Sequence, residues 1–550
     1  MKTIKIFRKS RWYVAIALLL LLGGGCNDFD EMNKNPTKLT SIDPNSQLGY
    51  AQLLIFGDTR ISTMGHEYCA SFVQHFMGAW ESSNFGGQFR KDNERTNNYW
   101  SRIYSLALNN LVDIIDSNQD NPLHHNVCVV ANIMRIYYSA LLTDLYGDVP
   151  YFEACKGFSE GIVKPDYDLQ ELIYKDFLKE LKLAESSLTN DGGKISGDII
   201  YNGDIEKWKR FANTLRFRLA MRLVKVEPAL ALSEVNDIMN SASGIFASSA
   251  DDAVIQYMDI LDFSETEFRR NGLSQMRRRS NEYPEGYLCS TFWDYLRDSD
   301  DPRLFRLGRA YYKQLSPNNP FGRIDLTEEI LSQETGIALF QPCLPGFDWW
   351  ANWPNGYWSN TLNDWIDAPC RPEVNNIFIR NDAPGIILSY AESQLLLSEA
   401  KVRWGNNVTI GQDVASYYEN GVRAAMNLLN DNYAFANSDK ISNDEIDDFL
   451  VTQPLPADNE GRIRLINEQL WILHFNNPLE AYANWRRTDY PVLKSPREYG
   501  AVTHDSQEIP RRMFYPALEE FYNKEAYQAA VDRLGGSDSW NVRVWWDKEL

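Results

Sequence analysis

Residues 346 to 360 read GFDWWANWPNGYWSN, and with Trp365 they gather five of the chain's 16 tryptophans into 17 positions. Trp349, Trp350, Trp353, Tyr357 and Trp358 alternate there with Asp348, Asn352, Asn355 and Asn360. Such a set suits sugar recognition. A sugar ring carries axial C–H groups on its faces and hydroxyls around its edge, so its receptor needs flat apolar platforms flanked by amides or carboxylates. Rigid rings also lose little conformational entropy on binding. The same rings would equally serve as a small aromatic core beneath a loop, because Trp is highly buried on average. Pro354-Asn355-Gly356 is turn chemistry, and it predicts a turn-rich loop that projects Trp353. If Trp349-Trp350 is extended, the two rings face opposite ways, one as anchor and one as contact.

Other reactive signatures are missing from the sequence. It contains no GxSxG elbow, HExxH helix, P-loop or dinucleotide fingerprint. His124-His125 has no third ligand in pattern, and Cys69, Cys128, Cys155, Cys289, Cys343 and Cys370 form no CxxC pair. No catalytic residue, metal site or cofactor is expected, although 75 acidic residues leave a glycosidase with paired carboxylates as a third alternative. Cys343 and Cys370 bracket the Trp-rich loop; an exported chain could oxidise them to a disulfide, and two buried thiols fit equally. The basic runs read as structural. RRRS at 277–280 suits a solvated face, whereas ANWRRTDYP at 483–491 and Arg511-Arg512 suit guanidinium forks that satisfy buried carboxylates and helix C-terminal carbonyls.

The elements that must position these residues begin after an export signal. Lys2, Lys5, Arg8, Lys9 and Arg11 precede an apolar run from Tyr13 to Leu22 that is too short to span a membrane, so residues 1–25 read as a signal peptide. Gly23-Gly24-Gly25-Cys26 resembles the bacterial lipobox, whose Cys is diacylated, with Gly23 in place of the usual Leu. The other reading is a secreted protein with an incidental Cys26. Asp28, Asp30 and Glu31 resemble the surface-export signal of Bacteroidetes lipoproteins and fit a solvated tether as well. The chain carries a net charge of −20, and signal removal deletes only basic residues, which argues against nucleic acid as a partner.

Residues 26–50 read as a tether. Helical stripes follow: Trp100, Ile103, Tyr104, Ala107 and Leu111; Ile133, Met134, Tyr137, Leu141 and Leu145; Ile173, Phe177, Leu181, Ala184 and Leu188; Trp208, Phe211, Leu215, Leu219 and Leu223. Between about 240 and 385 the periodicity fails. It resumes at 386–430 as a helix pair split by Gly405-Asn406-Asn407, spaced like a tetratricopeptide hairpin. The fold class is mainly α: a tetratricopeptide-like helix-pair scaffold (about 51–240 and 386–430) carrying a large irregular loop-rich insert (about 240–385), with residues 431–550 packed on the scaffold.

Seven stretches in order resemble the SusD/RagB family of lipid-anchored nutrient-binding proteins. They are RIYYSALLTDLYGDVPY (135–151), KWKRFANTLRFRLAMRL (207–223), DPRL (301–304), ILSYAESQLLLSEAKVRWG (387–405), YYENGVRAAM (417–426), INEQLWILHFNNPLEAYANWRRTDYPVL (466–493) and RRMFYPALEEFYN (511–523). The resemblance implies a non-enzymatic protein on the outer membrane, anchored through Cys26, that passes an oligosaccharide to a SusC-like TonB-dependent transporter. An oligopeptide ligand in the same role is the runner-up. It also implies that Trp80 and Asn84, in MGAWESSNFGGQFR at 77–90, and Tyr283 join Trp349, Trp350, Trp353, Asn355, Tyr357 and Trp358 at the ligand site. Trp293, on an apolar stripe, reads as core.

Overall fold

Apolar residues recurring at three- and four-residue intervals fold most of this chain into helices, each burying one stripe against a neighbour. The computed structural model describes residues 42–549 except 78–81, 263, 278–286, 310, 317–318, 326–342, 348–354, 360–363, 369–370 and 435. Its longer helices are α1 (Pro44–Gly57), α2 (Asn93–Arg102), α3 (Asn109–Asn118), α4 (His125–Tyr146), α5 (Gln170–Ser187), α6 (Ile205–Arg222) and α7 (Pro228–Met239). Within the irregular part lies α8 (Ser290–Asp298), and after it come α9 (Tyr390–Trp404), α10 (Val414–Asn432), α11 (Asn443–Thr452), α12 (Asn459–Leu473), α13 (Pro478–Thr488) and α14 (Lys524–Arg533).

Consecutive helices pack as pairs: α3 on α4, α5 on α6, α9 on α10 and α12 on α13. Several begin at side-chain caps, as where Asp204 accepts from Lys207 N and Ser389 from Glu392 N. The α9–α10 pair turns at Gly405, whose φ of +55° suits glycine. At the crossing, a Cβ on Gly421 would lie 2.7 Å from Leu395 Cγ, so the helices approach closely there.

Buried ion pairs tie the pairs together. Arg218 of α6 donates to both oxygens of Glu392 in α9 at 2.5 Å, and Arg222 donates to both oxygens of Glu480 in α13 at 2.8 Å. Arg487 of α13 donates to both oxygens of Glu399 in α9 at 2.7 Å. Arg486 donates to Asp144 O at 2.6 Å and Arg512 to Tyr146 O at 3.1 Å, which serves the unpaired carbonyls ending α4. The structural reading of the 483–491 and 511–512 motifs therefore holds. The solvated-face reading of 277–280 fails at Arg277, which is 3% exposed, donates to Asn476 Oδ1 (2.7 Å) and Phe475 O (3.0 Å), and lies over the rings of Phe76 and Phe475. Its aliphatic stem and flat guanidinium let it pack as an aromatic neighbour, which charge counting does not reveal.

Among the described residues, all strands but one fall between Ala253 and Leu388. Four two-residue strands, β1 (Phe76–Met77), β3 (Tyr287–Leu288), β4 (Gly308–Arg309) and β9 (Glu373–Val374), form a sheet in the order β1-β3-β9-β4. β2 (Ala253–Ile255) pairs with β10 (Gly385–Leu388), and β5 (Tyr311–Ser316) with β6 (Asn319–Asp325). A final hairpin joins β7 (Asn355–Ser359) to β8 (Asp364–Ala368).

The Glu399–Arg487 pair makes a stability prediction. Burial pushes the Glu399 carboxyl up, but the charges of Arg487 and Arg403 outweigh it and hold the group at about 2. Because the folded value lies below the unfolded value of about 4.3, the pair's contribution is complete above that value and is lost as pH falls towards 2. Arg487→Ala should cost about 3 to 5 kcal/mol at pH 7. In denaturant titrations, wild type should lose stability on acidification more steeply than Glu399→Gln.

Candidate ligand-binding surface

The sequence places its candidate contact residues in three stretches, 77–90, around 283 and 346–360, and the described backbone around them converges on one strand. β3 pairs antiparallel with β1, Phe76 opposite Leu288 and Met77 opposite Tyr287, so the chain enters the first stretch beside the residues that follow the second. On the other side, Leu288 N donates to Pro372 O (2.8 Å), while Leu288 O accepts from Cys343 N (3.2 Å). Ser290 N then donates to Cys343 O at 2.7 Å. Both ends of the Trp-rich segment are therefore held by the backbone around Leu288. Tyr287-Leu288-Cys289 is too short an apolar run to announce a strand, and sequence reading missed it for that reason.

The stem is packed as a core. Met77, Cys289 and Cys343 are buried together, with Tyr287 and Phe347 against them, and Arg371 lies 4.2 Å over the Phe347 ring. Cys343 carries a free thiol that burial pushes up to about 12, and Arg371 Nη1 donates to its sulfur at 3.7 Å. Cys370, its expected disulfide partner, lies outside the described residues. At Gly346, φ is +73° and a Cβ would lie 2.4 Å from Ala501 Cβ, so glycine alone lets the segment leave the stem there.

Among the candidate contacts, Trp80, Tyr283, Trp349, Trp350 and Trp353 lie outside the described residues, as does Cys26. Asn355, Tyr357 and Trp358 belong to β7. The turn expected of Pro354-Asn355-Gly356 is replaced at its last two positions by strand, because Asn355 and Gly356 pair with Ala368 and Asp367 and the ladder satisfies their backbone. The same register sets Trp358 opposite Trp365 and Tyr357 opposite Ile366. Asn84 is half-buried in the π-helical turn Ser82–Gly87, beside Phe85, whose ring lies 3.9 Å under the Arg95 guanidinium. Trp293 is 2% exposed, in the core as expected.

Titratable groups near the stem serve packing. Burial lowers His66 to about 3 and His75 well below its usual range, so both rings stay neutral at physiological pH. His75 packs among Phe292, Trp471 and Phe475. Glu392, His474 and Glu480 bring ligand-type atoms within 4.8 Å of one another, but Arg218 and Arg222 already neutralise the two carboxylates, which suits an ion-pair core and not a cation site. His124 bonds to Asn118 and Asn121, and His125 to Ser187 O, so this pair is structural.

Residues 36–516 match a family model described as SusD-like, starch-binding associating with outer membrane. Among solved structures, a SusD-like protein of Bacteroidetes AC2a is 35% identical with a TM-score of 0.84, the match covering 92% of this chain and 100% of that one. A chitin-binding protein is 33% identical, with a TM-score of 0.77 and the same coverage. A chitin-binding SusD homologue from Flavobacterium johnsoniae, at 20% identity and TM-score 0.69 over 92% and 99% of the two chains, shares the fold. No curated protein matches the chain.

The tight seat of the first stretch can be tested. A Cβ on Gly86 would lie 2.1 Å from Glu67 O and 2.7 Å from Ser71 Cβ, whereas one on Gly411 meets nothing within 4 Å. Gly86→Ala should cost about 1 to 3 kcal/mol, and Gly411→Ala should be close to neutral. Equilibrium denaturation of both variants measures the difference.

Proposed function

The chain belongs to the SusD-like family, and on that premise we propose that it is a cell-surface lipoprotein that captures an oligomeric glycan and hands it to a SusC-like TonB-dependent transporter in the outer membrane. The observation that most supports this is the convergence on β3 of the three stretches bearing Trp80 and Asn84, Tyr283, and the residues from Trp349 to Trp358. Loops borne on a rigid stem suit recognition, because the scaffold fixes their roots while their tips meet the ligand. Aromatic rings would stack on sugar faces, and Asn84, Asn352 and Asn355 would meet edge hydroxyls or acetamido groups. Since a relative at 33% identity is named a chitin-binding protein, chitin oligosaccharides are the first ligands to try. Residues 44–50, expected as tether, belong to α1, so diacylated Cys26 and the shorter segment before Pro44 would hold the domain over its transporter as a lid.

Trp353→Ala and Trp358→Ala should each weaken chitin-oligosaccharide binding by about 1 to 3 kcal/mol with an unchanged melting temperature. A stability loss of about 3 to 5 kcal/mol with unaltered affinity in the folded fraction would instead make these rings core. Binding of oligopeptides and no glycan would favour peptide capture, and release of reducing sugar would favour a glycosidase. In membrane fractionation without the transporter, Cys26→Ser should appear in the soluble fraction.

A further inference from the structure

Away from that surface, a cavity of about 450 Å³ opens between α3, α4 and α5. Its size falls within the range of roughly 300 to 1,000 Å³ common to small-molecule sites. Val112 and Ile115 of α3, Val129 of α4 and Leu183 of α5 make apolar walls, and Phe152 joins the lining from the loop after α4. Phe152 and Leu183 are 40% and 48% exposed, so apolar surface stands open at the mouth.

One charged group in the lining is held in place without an ionic partner. Arg135 Nε donates to Asn132 Oδ1 at 2.9 Å, and its guanidinium lies 4.7 Å from the Tyr151 ring centroid. The neighbouring acids have other partners: Tyr151 Oη donates to Asp176 Oδ2 (2.8 Å), Asn132 Nδ2 to Glu180 Oε2 (3.2 Å) and Lys179 Nζ to Glu180 Oε1 (3.0 Å), with Lys179 also 3.8 Å from Asp176. Among the described residues, no carboxylate forms an ion pair with Arg135. Asn132 and Tyr151 thus fix the plane of a fork that has further N–H donors to offer.

We propose that this cavity binds a small amphipathic carboxylate, its acid group received by Arg135 and its apolar body lying between α3 and α5. A planar guanidinium takes a carboxylate through two parallel hydrogen bonds, and the apolar walls exclude water from the remainder of the ligand. The site is separate from the glycan surface and does not depend on that reading. A free fatty or aryl acid and the C-terminus of an apolar peptide share this chemistry.

Calorimetric titration of the chain starting after Cys26 tests it, with octanoate, 1-octanol, acetyl-Phe-Leu-Leu and the amide of that peptide as probes. Saturable binding of octanoate, of the free-acid peptide or of both is expected, and which of them binds identifies the source. The uncharged counterpart of the bound probe should bind about ten-fold or more weaker, and Arg135→Gln should lose the same factor for the acid alone. Val129→Trp, which fills the cavity, should abolish binding, while affinity for chitin oligosaccharides stays unchanged in both variants. If neither acid saturates, or if Arg135→Gln binds the acid as wild type does, the proposal is overturned.

Discussion

The architecture depends on three buried guanidinium–carboxylate pairs, Arg218–Glu392, Arg222–Glu480 and Arg487–Glu399. A charge taken out of water is tolerated only with an opposite charge in good geometry and with its remaining hydrogen-bonding groups served. Here each pair is bidentate or doubly bonded, and Asn467 and Asn484 complete the shell around Arg487. Two parallel hydrogen bonds, as in Arg218–Glu392 and Arg487–Glu399, tolerate little sliding or rotation, and Arg222 reaches both Glu480 oxygens from its Nη2 alone. Helices α6, α9 and α13 are thereby held in one relative placement, which apolar packing alone specifies less sharply.

That placement carries through to the candidate site. α12 lies between the network and the sheet: Asn467 donates to Glu399 at 3.2 Å, and one turn on, Trp471 Nε1 donates to Val73 O at 3.0 Å, just before β1. The Trp471 ring also packs against His75 and Phe292, and Tyr295 of α8 donates to Glu468 at 2.9 Å. Both β1 and the helix that follows β3 therefore rest on α12. The stems of the aromatic stretches are short, with two residues per strand, and they need this support because so brief a ladder has little stability of its own.

Much of the scaffold was legible in the sequence. The stripes at 133–145, 173–188 and 208–223 are helices, and the Gly405 turn separates a real pair, because long periodic segments with glycine stops carry a local signal. The arginines of 486–487 and 511–512 were read as structural from their neighbours, since an Arg pair among aromatics in an acidic chain fits buried pairing better than a basic surface. What escaped was non-local. No local rule marks Leu288 as the strand between Phe76 and Pro372, or Arg277 as a buried neighbour of Phe475 more than 190 residues away. The Pro354-Asn355-Gly356 turn gave way, at Asn355 and Gly356, to pairing with 367–368 for the same reason: a local turn preference lost to a ladder supplied by a later segment.

The central claim is that one scaffold-held sheet unites three sequence-distant stretches into a single glycan surface. Hydrogen–deuterium exchange with and without saturating chitin oligosaccharide tests it most directly, because amide protection reports each stretch separately. The account predicts that the ligand slows exchange together in 78–90, 281–288 and 343–360, while the backbone of α9 and α13 stays unchanged. Protection confined to one of these stretches, or appearing only elsewhere in the chain, would contradict it.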